Sequence, residues 1–167
     1  MKLYLAGPDV FRPDAGAWAA QVRALCREQG HEALVPLDEA HGTALDIYRS
    51  NLQLIVAADA VLANLNPFRG TEPDSGTCVE IGYALALGKP VIGYLDALTP
   101  LRERLQAVGA DSDCRDAAGW AVEDFGLPLN LMLAVPLQLV QGGLEAALAL
   151  FCETVERESW GELRGGL

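Results

Sequence analysis

Two carboxylates six residues apart are the side chains in this sequence best suited to chemistry. Asp74 and Glu80 lie in the stretch "DSGTCVEIGYALALGKPV", which begins with turn residues, continues as a helix pattern and ends at a strand. Two neighbouring carboxyl groups can break a glycosidic bond, because one attacks the anomeric carbon while the other manages a proton. The pair therefore indicates nucleophilic chemistry at a sugar.

The spacing of Thr77 and Glu80 also allows a purely structural interpretation. Thr-x-x-Glu before an apolar run is the pattern of a capping box, in which Glu80 would only help to close the start of a helix. Alternatively, the helix dipole favours an ionised Glu80 that faces a ligand crevice and acts as a nucleophile. The residue types leave both interpretations open. Both interpretations make Thr77 the N-cap of this helix.

The elements that must position these residues alternate between strands and helices. The patterns predict strands at about 2–7, 32–36, 60–65 and 90–95, and helices at about 14–28, 45–58, 77–87, 100–107 and 144–157. This alternation predicts an α/β fold, a single-domain doubly wound (Rossmann- or flavodoxin-like) parallel sheet of about five strands flanked by helices, over 1–167. Ligands of such sheets bind beyond the carboxyl ends of the strands, so the loops there should carry the site.

Two of those loops are informative. "AGPDVF" follows the first strand and lacks G-x-G-x-x-G, and Pro8 interrupts the row of N–H groups that a pyrophosphate needs, which argues against NAD and against a P-loop. "NPFRGTEPDSG" follows the third strand and is long for a compact domain, which is typical of a functional loop. Its charges, among them Arg69 and Glu72, would simply be solvated if the loop has no function.

Composition excludes several classes of function. The chain has 167 residues and a net charge of −11, so a small ligand is favoured over a nucleic acid. No apolar run is long enough for a membrane span and no signal peptide is evident, which gives a cytoplasmic location as the expectation. Four dispersed cysteines and two histidines ten residues apart predict reduced thiols and no metal site.

Three segments resemble one enzyme family. "YLAGPDVF", "NPFRGTEPDSGTCVEIGYALALGKPV" and "NLM" occur in order between Tyr4 and Met132 and are similar to nucleoside 2-deoxyribosyltransferases, the middle block being the most specific. The resemblance implies a pentosyl-type glycosyltransferase of nucleotide salvage that exchanges the base of a 2'-deoxynucleoside for another free base. It implies a covalent deoxyribosyl ester on a glutamate, retention of configuration and no cofactor.

The resemblance assigns roles by position. Glu80 matches the nucleophile, Asp74 the aspartate that contacts the base and manages its proton, and Tyr4 the tyrosine that orients the nucleophile. Asn130 and Met132 match residues that hold the sugar in a neighbouring subunit's site, which implies a homo-oligomer, either a dimer or a hexamer.

Further residues complete the expected substrate site. Phe11 matches an aromatic residue that lines the base pocket, and Gly7 and Arg69 belong to the two loops that border it. Asn51 stands where some members have an aspartate. An amide cannot act as an acid, so Asn51 either contacts a base edge or is an ordinary polar residue on a helix.

A second departure from the family pattern affects base preference. Ala40 stands where the family often has a polar residue that contacts the base, and Asp38 or Glu39 could substitute for it. The sequence therefore leaves open whether purines or pyrimidines are preferred.

Two other functions stay open at this point. A 2'-deoxynucleoside 5'-phosphate N-hydrolase would use the same glutamate together with a phosphate pocket, to which Arg12 or Arg69 could contribute. The loop "GPDVF" lacks the Gly/Ser/Arg-rich character of such a pocket, and "NLM" favours a free 5'-hydroxyl. A non-catalytic nucleoside-binding module would retain the fold and use Glu80 as a helix cap.

Overall fold

A computed structural model describes residues 1–37, 42–107, 109, 115–116 and 118–156. The strands are β1 Lys2–Ala6, β2 Glu32–Leu34, β3 Ala60–Asn64, β4 Val91–Leu95 and β5 Gln138–Gln141. The helices are α1 Ala15–Glu28, α2 Ala44–Ala57, α3 Ser75–Ala86, α4 Leu101–Gln106, α5 Leu131–Ala134 and α6 Leu144–Glu156, and a short 3-10 turn covers Pro8–Phe11. None of the helices in the described ranges is both long and apolar enough to cross a membrane.

The five strands form one parallel sheet in the order β2-β1-β3-β4-β5. This confirms the predicted doubly wound α/β fold. The strand order changes direction between β1 and β3, and the crevice beyond the carboxyl ends of these two strands is where such sheets bind ligands. β5 was not located from the sequence, because an edge strand that begins and ends in Gln138 and Gln141 lacks the apolar run of a central strand.

Helices cover both faces of the sheet. Along β1, the side chains of Leu3 and Leu5 pack with α1 and α6, whereas Tyr4 and Ala6 point to the opposite face, where residues of α2, α3 and α5 pack. The alternation follows from the two-residue period of a strand. It places the tyrosine ring directly under α3.

Strand β4, which lies next to the edge strand β5, is packed very closely against its neighbours. A Cβ atom added to Gly93 of β4 would lie 2.4 Å from Leu65 Cδ1 and 2.8 Å from Leu139 Cδ2. Glycine at this buried strand position is therefore required by packing. It lets side chains from the loop after β3 and from β5 close over β4.

Candidate active site

A short hydrogen bond joins the first strand to the third helix. Tyr4 Oη donates to Glu80 Oε1 at 2.6 Å, and the tyrosine is fully buried. Glu80 is the sixth residue of α3 and its side chain is directed toward the sheet. The structure thus brings together two of the three residues for which catalytic roles were predicted.

Asp74, the third of them, is the N-cap of α3. Its Oδ2 accepts from the Thr77 backbone N–H at 3.0 Å and from the Thr77 hydroxyl at 3.2 Å. The prediction that Thr77 caps the helix is therefore wrong, because α3 begins at Ser75 and Asp is as good an N-cap as Thr. Both contacts use the same carboxylate oxygen, Oδ2.

The capping-box interpretation of Glu80 does not hold either. Because α3 begins at Ser75 with Asp74 as its N-cap, Glu80 lies in the second turn of the helix, where its side chain bonds Tyr4. A capping box does occur at the start of α2, where Thr43 and Asp46 exchange side-chain and backbone hydrogen bonds. The carboxyl group of Glu80 is therefore free of a helix-capping role.

Burial controls the ionisation of Glu80. Desolvation raises the pKa of the Glu80 carboxyl to about 7, the hydrogen bond from Tyr4 opposes this rise, and the charge of Asp74 adds to it. Burial and the charge of Glu80 also raise the pKa of the Tyr4 hydroxyl, so this group remains a proton donor. A desolvated carboxylate that ionises near neutral pH is suited to attack an electrophilic carbon.

The loops after β1 and β3 are joined at the carboxyl edge of the sheet. Asn64 Nδ2 donates to Asp9 Oδ2 at 2.8 Å, and a Cβ added to Gly7 would lie 2.8 Å from Asn64 Cβ. Gly7 thus permits the close approach of the two strand ends, which is a structural role beside the predicted binding role. Asp9 and Asn64 were not selected from the sequence, although a polar residue that ends a buried strand is a usable signal.

A cluster of two aromatic rings and one cation bridges the same loops. The rings of Phe11 and Phe68 stack with centroids 5.6 Å apart, and Arg69 Cζ lies 5.1 Å and 4.7 Å from these two centroids. Arg69 has a φ of 54°, a left-handed conformation that costs on the order of 1 kcal/mol. Because Phe11 is 58% exposed, part of its ring remains open to a ligand.

Of the two positions that depart from the family pattern, Asn51 and Ala40, the structure describes Asn51. Asn51 is half-buried on α2, one helical turn before buried Ile55, so it lies on the face of the helix directed toward the sheet. Asp38, Glu39 and Ala40 lie outside the described residues.

Asn130 and Met132 lie on the other side of α3 from Glu80. They line an open groove of about 440 Å³ together with residues of α3 that include Cys78 and Gly82. Each of these two is two positions from Glu80, which corresponds to about 200° around a helix. The structure therefore places Asn130 and Met132 in a groove separate from the Tyr4–Glu80 pair of the same chain.

Comparison with known proteins gives one consistent result. A family model described as nucleoside 2-deoxyribosyltransferase matches residues 3–132. A 2-desoxiribosyltransferase from Leishmania mexicana is 41% identical with a TM-score of 0.79, over 91% of this chain and 97% of that chain.

Two other similarities are more limited. A Schizosaccharomyces pombe protein described as uncharacterized is 34% identical over 159 residues, which cover 78% of this chain and 74% of that protein. A Clostridium botulinum CMP N-glycosidase shares the fold, with a TM-score of 0.50 and 15% identity over 95% of this chain and 99% of that chain.

Proposed function

The chain belongs to the nucleoside 2-deoxyribosyltransferase family, and on that premise we propose that it exchanges the base of a 2'-deoxynucleoside for another free base. The observation that carries the proposal is the Glu80 carboxyl group, which is partly buried, is held by Tyr4 and is not used as a helix cap. In this proposal Glu80 is the nucleophile that forms an ester with C1' of the sugar.

The first half-reaction forms the ester. The Glu80 oxygen that does not bind Tyr4, Oε2, attacks C1' while the C1'–N bond breaks and the base leaves with the bonding electrons. The base takes a proton from Asp74, directly or through water. The transition state resembles an oxocarbenium ion, which the adjacent carboxylate stabilises electrostatically.

The second half-reaction reverses these roles. A nitrogen of the incoming base attacks C1' from the side on which the first base left, Glu80 departs as a carboxylate, and Asp74 receives the proton of the incoming base. Two displacements at one carbon give overall retention of configuration. Water in place of the base gives hydrolysis, and neither half-reaction needs a cofactor or a metal to balance.

The proposal includes a homo-oligomer, a dimer or a hexamer, in which Asn130 and Met132 complete a neighbour's site. Two observations support it. Their groove lies across α3 from Glu80 of the same chain, and apolar side chains are exposed on α3 and α5, with Val79 at 59%, Met132 at 73% and Val135 at 70%. Large apolar side chains that are exposed in one chain are candidates for burial against a second copy.

The variant Val135→Asp is expected to dissociate the oligomer and to reduce base exchange, because it places a charge in the proposed interface. Size-exclusion chromatography with light scattering gives the assembly state. Ala17→Asp, on the exposed side of α1 at the other face of the sheet, is the matched control and should change neither property. An oligomer that survives Val135→Asp would contradict this arrangement.

The variant Tyr4→Phe is expected to shift the pH profile of kcat/KM. Phe retains the buried ring but removes the hydrogen bond that favours ionised Glu80, so the pKa of Glu80 should rise above about 7. The acidic limb then moves to higher pH, and kcat/KM at neutral pH falls roughly tenfold. Tyr94→Phe, which removes another buried tyrosine hydroxyl, is the control. An unmoved limb in Tyr4→Phe would contradict the role of Tyr4.

One assay distinguishes this function from its rivals. The protein is incubated with deoxyinosine and free adenine, and separately with a deoxynucleoside 5'-monophosphate. New deoxyadenosine supports the transferase, free base from the monophosphate alone indicates an N-hydrolase, and no change indicates a binding module. The arginines offer the hydrolase little support, because Arg12 bonds Asp14 at 3.0 Å and 3.1 Å and Arg69 lies over the Phe rings.

We propose one domain over 1–167 that acts in cytoplasmic nucleotide salvage, on 2'-deoxynucleosides and free nucleobases. The net charge of −11 is consistent with small substrates in place of nucleic acid.

A further inference from the structure

The Asn130 side chain is held at both ends of its amide. Its Oδ1 accepts from the Met132 backbone N–H at 3.0 Å, as expected of the N-cap of α5. Its Nδ2 donates to Glu123 Oε1 at 2.6 Å, and the other oxygen, Glu123 Oε2, accepts from the Leu131 backbone N–H at 2.9 Å. Glu123 therefore binds the amide and the backbone next to it with its two carboxylate oxygens.

These contacts define the direction of the amide. The oxygen of Asn130 is directed to Met132 N, and one of the two hydrogens on Nδ2 is directed to Glu123. The second hydrogen of Nδ2 remains for another acceptor. An N-cap bond alone fixes only the oxygen end of the side chain, so Glu123 determines where the remaining N–H points.

The loop that carries Glu123 is itself anchored to α4. Arg102 forms an ion pair with Asp124, the residue next to Glu123. The backbone N–H of Leu101 donates to the carbonyl of Leu127 at 2.8 Å. These anchors place Glu123 on a fixed segment, which is what a residue that orients another side chain requires.

We propose that Glu123 is a positioning residue that aims the Asn130 amide at the deoxyribose in the site that Asn130 completes. The inference rests on the proposed function, in which Asn130 holds the sugar. Glu123 does not touch the substrate and acts through Asn130. A charge-assisted hydrogen bond is stronger than a neutral one, which suits a side chain that must be held in one orientation.

The test compares Glu123→Gln, Asn130→Ala and the double variant in steady-state base exchange by the full-length protein. Glutamine offers one acceptor oxygen to two donors, so one of the two hydrogen bonds is lost while the volume is kept. Glu123→Gln is expected to raise KM for the deoxynucleoside roughly tenfold, the effect of one charge-assisted hydrogen bond, with a smaller change in kcat. Glu28→Gln, which removes an exposed carboxylate at the end of α1, should leave KM unchanged.

The double variant separates positioning from a general structural effect. If Glu123 acts through Asn130, adding Glu123→Gln to Asn130→Ala lowers kcat/KM no further. Effects that multiply, a normal KM in Glu123→Gln, or a lowered Tm with unchanged KM would each overturn the inference.

A binding measurement keeps the inference separate from the proposed function. The Kd of a 2'-deoxynucleoside is measured by calorimetry for the same variants. A wild-type protein that binds the nucleoside without exchanging its base would contradict the proposed function, while the Kd values would still test Glu123. A wild-type protein that neither binds nor exchanges would overturn both proposals.

Discussion

Glu80→Gln is expected to abolish base exchange, with a loss of at least about 10⁴-fold, because an amide cannot form the ester to C1'. Folding should be preserved, since glutamine has nearly the same volume and still offers an oxygen to the Tyr4 hydroxyl. Coupled detection of the new nucleoside measures the loss. Wild-type exchange rates in this variant would exclude Glu80 as the nucleophile.

The same substitution is expected to stabilise the protein at alkaline pH. The pKa of Glu80 is raised to about 7 in the folded protein from 4.5. The folded state therefore holds the proton more tightly, and stability is lost as pH rises from the lower value through the higher one. Glu80→Gln avoids this loss, so its advantage in unfolding free energy should grow by roughly 2 kcal/mol between about pH 5 and about pH 8.

Urea unfolding at the two pH values measures this difference. Glu28→Gln, at an exposed position near the end of α1, is the matched control for removing one carboxylate and should show no comparable gain. An equal stability of wild type and Glu80→Gln at both pH values would contradict the desolvated carboxylate on which the mechanism depends.

Asp74→Asn is expected to lower base exchange by about 10² to 10⁴-fold while retaining stability. The amide oxygen of asparagine can still cap α3 through the Thr77 N–H, but the side chain no longer carries an acidic proton. Asp74→Ala removes both functions and should also cost about 1 kcal/mol of unfolding free energy. The pair of variants separates proton transfer from helix capping.

A change of leaving group provides the control for Asp74. A deoxyribosyl substrate whose leaving group needs no proton should react with Asp74→Asn almost as fast as with the wild type in the ester-forming step. Near-normal exchange of ordinary bases by Asp74→Asn would show that Asp74 is a cap and has no proton role.

The fold could be predicted from local sequence patterns, whereas the first residue of α3 could not. Apolar strands that alternate with amphipathic helices were sufficient to predict the doubly wound parallel sheet. Asp74 and Thr77 are both good N-caps three residues apart, so propensity alone cannot decide between them. Taking Thr77 as the N-cap made Glu80 resemble the second residue of a capping box.

The geometry of the site depends on contacts that no local pattern contains. Tyr4 and Glu80 are separated by 76 positions and meet only because β1 lies beside β3, from which the chain leads into α3. Residue type and position selected Glu80 and the family resemblance selected Tyr4, but the hydrogen bond between them and the raised pKa of Glu80 required the structure. Glu123 carries no sequence signal at all, since it is one acidic residue in an irregular loop.

Mass spectrometry of the trapped intermediate tests the central claim most directly. The protein is mixed with a 2'-deoxynucleoside in the absence of a second base, denatured in acid, digested and mapped. The account predicts a single deoxyribosyl adduct on Glu80, which disappears when a free base is added before denaturation. An adduct on another residue, or base exchange that proceeds with no adduct on Glu80, would contradict it.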